Sequence, residues 1–400
     1  MYSYEDVKAY VEEEDVKFIR LAFCDMYGNQ KNAAIMPAEL ERAFSDGISF
    51  DASAIDSFGS AVESDMFLHP DPSTLMALPW RSMNGGVVRM FCDIRHPDGR
   101  IFEKDCRSFL KKAVSRAKDA GISCFFGAEF EFYLFKTDEH GEPTEEPLDN
   151  AAYMDIAPQD RGENIRREIC CTLMDMGMQP EGSHHEEGPG QNKIDFRYGD
   201  ALSSADNAVT FKSVVRTIAM RNGFYASFDP KPIRGQSGNG MHINISIHCD
   251  DGVDRTDAFM AGILSHIKEM TVFLNPTDES YKRFGEVRAP KYITWSPENR
   301  SQLIRIPAAK GEYRRIELRS PDPCANPYLA YALLIYAGLD GIENGMEPGK
   351  PVDLNLHCAT DDIVNKLDTL PLSRKQASEA MEKSEWLHSI LPEDYILLYK

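Results

Sequence analysis

The segment GAEFEFYLF, residues 127–135, constrains the fold more than any other stretch of this 400-residue chain. Side chains along a strand point alternately to opposite faces of the sheet, so Glu129 and Glu131 share one face while Phe130 and Phe132 share the other. The aromatic face predicts a hydrophobic core, and the paired carboxylates predict a polar cavity. A half-exposed strand would also alternate, but its outer face usually mixes Lys, Thr and Ser with Glu.

Two later segments, GMHINISI (240–247) and RRIELRS (314–320), repeat this alternation. The side chains that share one face are His242, Asn244 and Ser246 in the first segment, and Arg315, Glu317 and Arg319 in the second. A polar outer face or a surface salt-bridge ladder would explain either segment alone. Together the three strands indicate a site, because carboxylates with one histidine suit Mg²⁺ or Mn²⁺. The arginines beside them suit a metal-bound nucleotide and an acidic substrate.

The remaining pattern predicts an α+β protein in two parts, a small N-terminal domain over 1–100 and a larger domain over 101–400 with antiparallel strands. We expect a strand at 18–28 that enters a hairpin, and Asp105 as the cap of a helix that Gly121 ends. The other expected elements are a short helix at 37–44, a strand at 123–135, and helices at 160–178, 207–223 and 328–342.

Composition narrows the class of partner. The formal net charge is −20, and such a surface repels phosphate backbones, so we expect no nucleic acid partner. Nine cysteines without a CxxC pair indicate reduced thiols rather than a disulfide framework. The acidic N-terminus does not resemble a signal peptide, and no apolar run approaches membrane-spanning length. We therefore expect a cytoplasmic protein without a membrane partner.

The segment SHHEEGPGQNKIDF, residues 183–196, has the composition of a metal site except that it also contains a cation. His184, His185, Glu186 and Glu187 crowd together, yet Lys193 follows within the same cluster. The loop RGQSGNG (234–240) would allow a substrate close approach to the backbone, although any turn would explain a glycine run of this kind.

With these segments in place, the chain resembles the bacterial type I glutamine synthetases over nearly its whole length. The blocks that carry the resemblance, in family order, are GISFDASAI (47–55), ESDMFLHPDP (63–72), GAEFEFYLF, SHHEEGPGQNKID, FDPKP (228–232), SGNGMHINIS (237–246), NPTDESYKR (275–283), NRSQLIRIP (299–307), RRIELRSPDP (314–323) and ANPYLA (325–330). The resemblance implies a β-grasp-like N-terminal domain, a catalytic domain with a curved antiparallel sheet, and a homo-oligomer, either a hexameric ring or a dodecamer.

The resemblance also implies roles for individual residues. One Mg²⁺ or Mn²⁺ would be held by Glu129, His242 and Glu317, and a second by Glu131, Glu186 and the residue at position 193. Arg283 and Arg319 would bind the carboxylates of glutamate beside Gly238. ATP would meet Arg300, Arg305 and Arg315 at its phosphates, Tyr198 at adenine, and Asn244 and Ser246 nearby. Asp51 would bind and deprotonate ammonium across the subunit interface, so that Asp51, Arg283 and Arg300 would take part in catalysis.

Two cations depart from this pattern. Lys193 replaces an expected metal ligand, and we expect its ammonium to lie between Glu131 and Glu186 and to compete with a metal; the alternative is that it swings outward and Glu187 or water completes the site. Arg288 stands where the family carries a glutamate, and an arginine cannot serve as a base. Glu286 would then substitute for it, or Arg288 would recognise an anionic substrate group, or Arg288 would point to solvent.

Three hypotheses follow. The chain is a glutamine synthetase acting on ammonia, a γ-glutamyl-amide synthetase acting on another amine, or a catalytically impaired relative that binds nucleotide or partner subunits. Because the chain stops at ILLYK (396–400), before the family pattern ends, we expect a single ring more than a double ring.

Overall fold

In a computed structural model of the chain, two β-sheets follow one another along the sequence. The structure describes residues 2–59, 62, 64–79, 85–286, 288–309, 311 and 314–400. Helices and strands are mixed in both parts, which confirms the predicted α+β class. The predicted boundary between residues 100 and 101 stays a prediction.

The first sheet has six strands in the order β2-β1-β6-β4-β3, with β5 paired to β6. Its strands are β1 (Val16–Cys24), β2 (Gln30–Ile35), β3 (Ile48–Asp51), β4 (Asp65–Pro70), β5 (Met76–Ala77) and β6 (Gly86–Arg95). β1 and β2 form the predicted hairpin, and β1 runs parallel to β6 at the centre.

The second sheet has ten strands, with the path β14-β15-β16-β13-β7-β10-β9. Its strands are β7 (Ile122–Thr137), β8 (Pro143–Pro147), β9 (Pro180–His185), β10 (Gln191–Phe196), β11 (Gly199–Asp200), β12 (Phe224–Ser227), β13 (Met241–Cys249), β14 (Trp295–Pro297), β15 (Ile304–Ile306) and β16 (Ile316–Leu318). Among the described pairs of this second sheet, only β14–β15 is parallel. The 16-residue β7 pairs with five other strands, so it forms the spine of the sheet.

Helices flank both sheets. They are α1 (Tyr4–Glu13), α2 (Leu40–Ser45), α3 (Cys106–Asp119), α4 (Glu163–Asp175), α5 (Ala201–Arg221), α6 (Thr256–Leu274), α7 (Asp278–Tyr281), α8 (Pro327–Glu343), α9 (Asp361–Val364), α10 (Arg374–Glu382), α11 (Glu385–Ile390) and α12 (Glu393–Tyr399). Asp105 caps α3 by accepting a hydrogen bond from the Arg107 N–H, and Gly121 follows its end at φ +71°, as predicted. α5 begins six residues earlier than predicted because Asp200 caps it.

The core contains buried residues of both sheets and of the helices that pack on them. Phe130 and Phe132 are fully buried, and both rings pack against Phe211 of α5, so the predicted aromatic face is confirmed. α8 is buried as predicted and packs on α6. A Cβ on Gly262 would lie 2.0 Å from the Ala337 carbonyl oxygen, so only glycine permits this close helix crossing. No helix in the described part of the chain is long and apolar enough to span a membrane.

Candidate active site

Strand register brings the predicted ionisable residues together on the concave face of the second sheet. His242 of β13 stands directly opposite Glu129 of β7, and Asn244 stands opposite Glu317 of β16. One ligand atom from each of Glu129, His242 and Glu317 lies within 4.8 Å of the other two. The alternation seen in three separate segments therefore produces one cluster.

Lys193 points into this cluster, but its partner differs from the expected one. It stands opposite Glu131 in the β7–β10 pairing, yet its ammonium donates a 2.5 Å hydrogen bond to Glu129 Oε2. Asp195, two residues along the same strand face, lies 3.8 Å from the Lys193 Nζ. Lys193 thus makes its hydrogen bond to Glu129 rather than to Glu131 or Glu186, and another cation binds Glu186.

That cation is Arg288. One terminal nitrogen donates to both oxygens of Glu186, at 3.1 and 2.8 Å, and the other donates to Glu187 at 3.0 Å. The guanidinium also lies 4.6 Å from the centre of the Tyr153 ring. Arg288 therefore does not point freely to solvent, and Glu187 does not complete a metal site. Glu286, the alternative base, is paired with Lys231.

Two more arginines hold Glu317. Arg305 donates to Oε2 at 2.6 Å, and Arg319 donates to Oε1. Burial would raise the pKa of Glu317, but the charges of Arg319 and His242 outweigh it and lower that pKa. Glu317 thus stays ionised although it is almost fully buried.

The charged groups around Lys193 shift one another's pKa values. Burial would raise the pKa of Glu129, but the His242 hydrogen bond and the Lys193 charge hold it well below its ordinary value. Burial would lower the pKa of Lys193, but the charges of Glu129 and Asp195 raise it. Burial raises the pKa of Asp195 to about 7. The Lys193 charge opposes this rise, and the Glu129 charge adds to it. The Glu129–Lys193 pair is therefore firmly ionic.

The two predicted metal sites fit a divalent cation unequally. Glu129, His242 and Glu317 offer oxygen and imidazole donors, and His242 Nε2 is buried without a hydrogen-bond partner among the described residues. This set fits Mg²⁺ or Mn²⁺. The second set does not fit, because Lys193 is an ammonium and Glu186 is bound by Arg288. Glu131 retains one buried oxygen without a described partner, while its other oxygen accepts from the Gly240 N–H at 2.8 Å.

A cavity of about 600 Å³ opens beside Glu131. Gly238, Arg283 and Arg288 line it together with the segment between α8 and α9 that includes His357. Arg283 is fixed by hydrogen bonds to the Asn275 side chain at 3.0 Å and to the Ser320 carbonyl at 2.7 Å. Its Nε, like that of the nearby buried Arg319, has no described partner. These guanidinium groups are therefore held in place, and each keeps an Nε–H donor without a described partner.

A smaller cavity of about 250 Å³ lies beside Glu129. The predicted nucleotide-binding residues that line it are Tyr198, Asn244, Ser246 and Arg315. Arg315 Nε donates to the Asn244 side chain at 2.9 Å, which joins two of them. The carboxylates of β7 therefore stand between two cavities, with Glu131 at the larger and Glu129 at the smaller.

Two predicted residues are not brought to this cluster within one chain. Asp51 ends β3 of the first sheet, where it is exposed and accepts hydrogen bonds from the Ser53 N–H and hydroxyl. Arg300 is exposed in the turn before β15 and lines neither cavity.

Sequence reasoning missed several residues that shape the site. Asp195 had a readable signal, because it follows Lys193 at the two-residue spacing of one strand face. Tyr153 and Asp322, which lies 3.6 Å from Arg283, come from loops without periodicity, so no local pattern marks them. His185 was grouped with the metal-like cluster, but it is buried in a separate network with Asp149 and the Glu186 carbonyl.

Comparison with known proteins gives a consistent result. The family "Glutamine synthetase, catalytic domain" matches residues 103–400, and "Glutamine synthetase, beta-Grasp domain" matches residues 15–97. A glutamine synthetase of Clostridium saccharobutylicum is 46% identical over 96% of this chain and 90% of its own length. One from Methanosarcina mazei is 47% identical over 97% and 90%. A solved structure named "GmaS/ADP complex-Conformation 1" superposes with a TM-score of 0.89 at 31% identity, covering 98% of this chain and 94% of its own.

Proposed function

The chain belongs to the glutamine synthetase family, and we propose that it forms glutamine from glutamate and ammonia with ATP. The side-chain carboxylate of glutamate attacks the γ-phosphorus of ATP, a new O–P bond forms, and ADP leaves with the electrons of the broken bridging bond. Ammonia then attacks the acyl carbon, phosphate leaves with the C–O bonding electrons, and the amide nitrogen loses a proton. The observation that carries this assignment is the pair of cavities that meet at Glu129 and Glu131.

The two cavities suit the two halves of this reaction. The larger contains Gly238 and the buried Arg283, whose guanidinium suits a carboxylate of glutamate. The smaller contains Tyr198 and Arg315, which offer a ring to a base and a cation to a phosphate. Holding glutamate and ATP at neighbouring positions along the same face of β7 aligns the carboxylate with the γ-phosphate, and such positioning supplies much of the rate in phosphoryl transfer.

We further propose that the centre takes one divalent cation, held by Glu129, His242 and Glu317. Such an ion would neutralise charge that develops on the transferring phosphoryl group. On the side of Glu131 and Glu186, Lys193 and Arg288 supply fixed positive charge instead. Across the two sets, Glu129, Glu186 and Glu317 are each paired with a cation, and these cations are Lys193, Arg288, Arg305 and Arg319. The protein therefore balances its own charge, and we expect the ion to bind most strongly together with the anionic nucleotide.

Trapping of the activated glutamate tests the proposed reaction. Hydroxylamine is a stronger nucleophile than ammonia and converts an acyl phosphate to a hydroxamate. With ATP, glutamate and Mg²⁺, we expect γ-glutamyl hydroxamate to form, and its formation should require all three. Absence of hydroxamate under conditions where nucleotide and glutamate both bind would refute the proposed reaction.

A second candidate is the same ligation with a larger amine. The observation that favours it is Arg288, a cation in the wall of the larger cavity, because like charges repel and ammonium is also a cation. The larger cavity also has room beyond a glutamate molecule. A screen of primary amines for stimulation of phosphate release distinguishes the two reactions. Failure of every amine would favour the third reading, a catalytically impaired relative.

The assembly is part of the proposal. Asp51 is exposed and distant from the cluster in sequence and in sheet, so its expected role with ammonium needs a second copy of the chain. We propose a ring of copies, hexameric or dodecameric, in which Asp51 of one protomer faces the cavities of the next. All nine cysteines are free thiols, which fits the reducing cytoplasm that we propose as its location. Mass measurement of the native protein tests the assembly.

A further inference from the structure

A second large cavity, of about 540 Å³, lies outside the proposed active site. It is enclosed by the turn between β1 and β2, by helix α5, and by the ends of α10 and α12. The side chains that give it its character are Tyr27, Lys212, Arg216, Phe228, Arg374 and Tyr399. Three cations and three aromatic rings thus line one concave surface, which we call the rear cavity.

The three cations of the rear cavity have spare hydrogen-bonding capacity. Lys212 Nζ donates to the Pro323 carbonyl at 3.2 Å, and Arg374 Nε donates to the Pro276 carbonyl at 3.2 Å. Arg216 lies 5.2 Å from the centre of the Phe228 ring. Within the described residues, none of the three forms a salt bridge. Among the described residues that line the cavity, Asp229 is the one carboxylate, so the charge of this lining remains positive.

Other groups at the same surface are also unsatisfied. Gln30 Oε1 is buried and has no hydrogen-bond partner among the described residues. Burial lowers the pKa of Lys212, although the charges of Cys324 and Asp322 oppose this. Concave sites that bind small molecules characteristically combine apolar walls with a few convergent polar groups. The rear cavity has this combination, and it is rich in donors for an anion.

The walls of the rear cavity continue into the proposed active site. Pro276 and Thr277 line it directly after Asn275, whose side chain accepts a hydrogen bond from Arg283. Pro323 follows Asp322, which lies 3.6 Å from the same guanidinium. Asp229 also lines the cavity, and its carbonyl accepts a hydrogen bond from Asn239, next to Gly238. Three chain segments therefore connect the rear cavity to the pocket around Arg283.

We propose that the rear cavity binds a small organic anion that carries a phosphate or carboxylate group, and that its occupancy alters glutamate binding at Arg283. The anion sits among Lys212, Arg216 and Arg374, with its body against the rings of Tyr27 and Tyr399. The binding site itself does not depend on the proposed function, whereas the coupling to glutamate rests on it.

Calorimetric titration of the full-length protein, at constant ionic strength, tests the site. Phenyl phosphate serves as the phosphate probe and succinate as the carboxylate probe. We expect at least one of them to bind, and we expect Arg216→Gln with Arg374→Gln to reduce the number of molecules bound by one per chain. Arg167→Gln, which changes an exposed arginine on α4, should leave binding unchanged. Arg216→Gln alone should weaken binding at least threefold. Because its position is exposed, this single variant still tests the site if the double variant misfolds.

Each outcome decides the proposal. Binding of one probe that the double variant loses supports the site and identifies the preferred anion. No binding of either probe, or equal binding by the double variant, overturns it. Glutamate affinity measured with and without the bound probe tests the coupling, which an unchanged affinity overturns. If glutamate does not bind at all, the proposed function fails, while the anion titration still decides the site.

Discussion

Lys193 Nζ lies 2.5 Å from Glu129 Oε2, so a cation of the protein itself contacts a carboxylate that would hold a divalent ion. Glu129 belongs to the cluster with His242 and Glu317, and Lys193 competes there with any ion that enters. Since both partners are largely buried, the pair is poorly screened by salt. We therefore expect this contact to determine how tightly the enzyme binds a divalent ion.

Removal of the Lys193 charge should strengthen metal binding. Lys193→Met keeps most of the side-chain volume but removes one positive charge beside Glu129, and two like unit charges about 4 Å apart repel by about 4 kcal/mol at an effective dielectric constant of about 20. We expect Mn²⁺ to bind at least about tenfold more tightly, which corresponds to about 1.4 kcal/mol. Titration of Mn²⁺ followed by electron paramagnetic resonance measures this. Lys136→Met, a half-exposed control on β7, the strand that carries Glu129, should bind Mn²⁺ as the unchanged protein does.

The number of ions per chain should be one. Mn²⁺ counted with a non-hydrolysable ATP analogue present should reach one ion per chain. Lys193→Glu with Arg288→Glu should raise it to two, because Glu186 then loses its Arg288 partner and position 193 carries a carboxylate. Two ions per chain in the unchanged protein would contradict the one-ion centre. The double variant must first show an unaltered circular dichroism spectrum.

We expect the Arg288 side chain to hold its own loop against the turn that follows β9. Its bonds to Glu186 and Glu187 connect two segments of chain about 100 residues apart. Arg288→Gln should cost about 1–3 kcal/mol, because the buried Glu186 loses a charged partner, and hydrogen exchange across residues 283–290 should become faster. Arg288→Lys should restore only part of the protection, since an ammonium cannot make the same forked contact. Unchanged exchange in Arg288→Gln would mean that the loop is held by other contacts.

Gly238 should tolerate no side chain. A Cβ there would lie 2.6 Å from the Cγ of Arg283 and 2.6 Å from the Pro230 carbonyl oxygen. Gly238→Ala should therefore displace Arg283, reduce stability by about 1–3 kcal/mol and weaken glutamate binding more than nucleotide binding. Gly199→Ala is the control, because its Cβ would meet only the Ser204 hydroxyl oxygen, at 3.4 Å, and it lines neither cavity. Equal losses of glutamate and nucleotide affinity would argue for general unfolding instead.

Acid should weaken the turn that carries Glu186. Asp149 accepts hydrogen bonds from the N–H groups of Arg161 and Gly190 and pairs with His185. Burial would raise the pKa of Asp149, but the His185 hydrogen bond and the Arg161 N–H lower it to about 2. Since this pKa is below the ordinary value of 3.8, its stabilisation is present above pH 4 and is lost as pH falls towards 2.

Asp149→Asn tests this acid dependence. It should reduce stability at neutral pH by about 3 kcal/mol and remove the part of the acid-induced loss that Asp149 contributes. Chemical denaturation between pH 2 and 7 measures both. An equally steep acid loss in the variant would assign that loss to other carboxylates.

The sequence revealed the strands of the site more fully than the contacts within it. Alternation along β7, β13 and β16 identified Glu129, His242 and Glu317, because side chains two residues apart share one face of a strand in any fold. It did not reveal that Lys193 would reach Glu129 rather than Glu131, since that choice depends on Arg288, which arrives from a loop about 95 residues later. Asp322 and Tyr153 were missed for the same reason: loop residues have no period, and only the folded chain sets their neighbours.

Phosphate release from ATP, measured with glutamate and Mg²⁺ in the presence and absence of ammonium, tests the central claim most directly. We expect ammonium to stimulate release, glutamate to be required, and Glu129→Ala to abolish the stimulated rate while the fold is retained. No stimulation by ammonium, together with recovery of activity in Lys193→Glu with Arg288→Glu, would contradict the claim. It would mean that the two cations have disabled the site for this reaction.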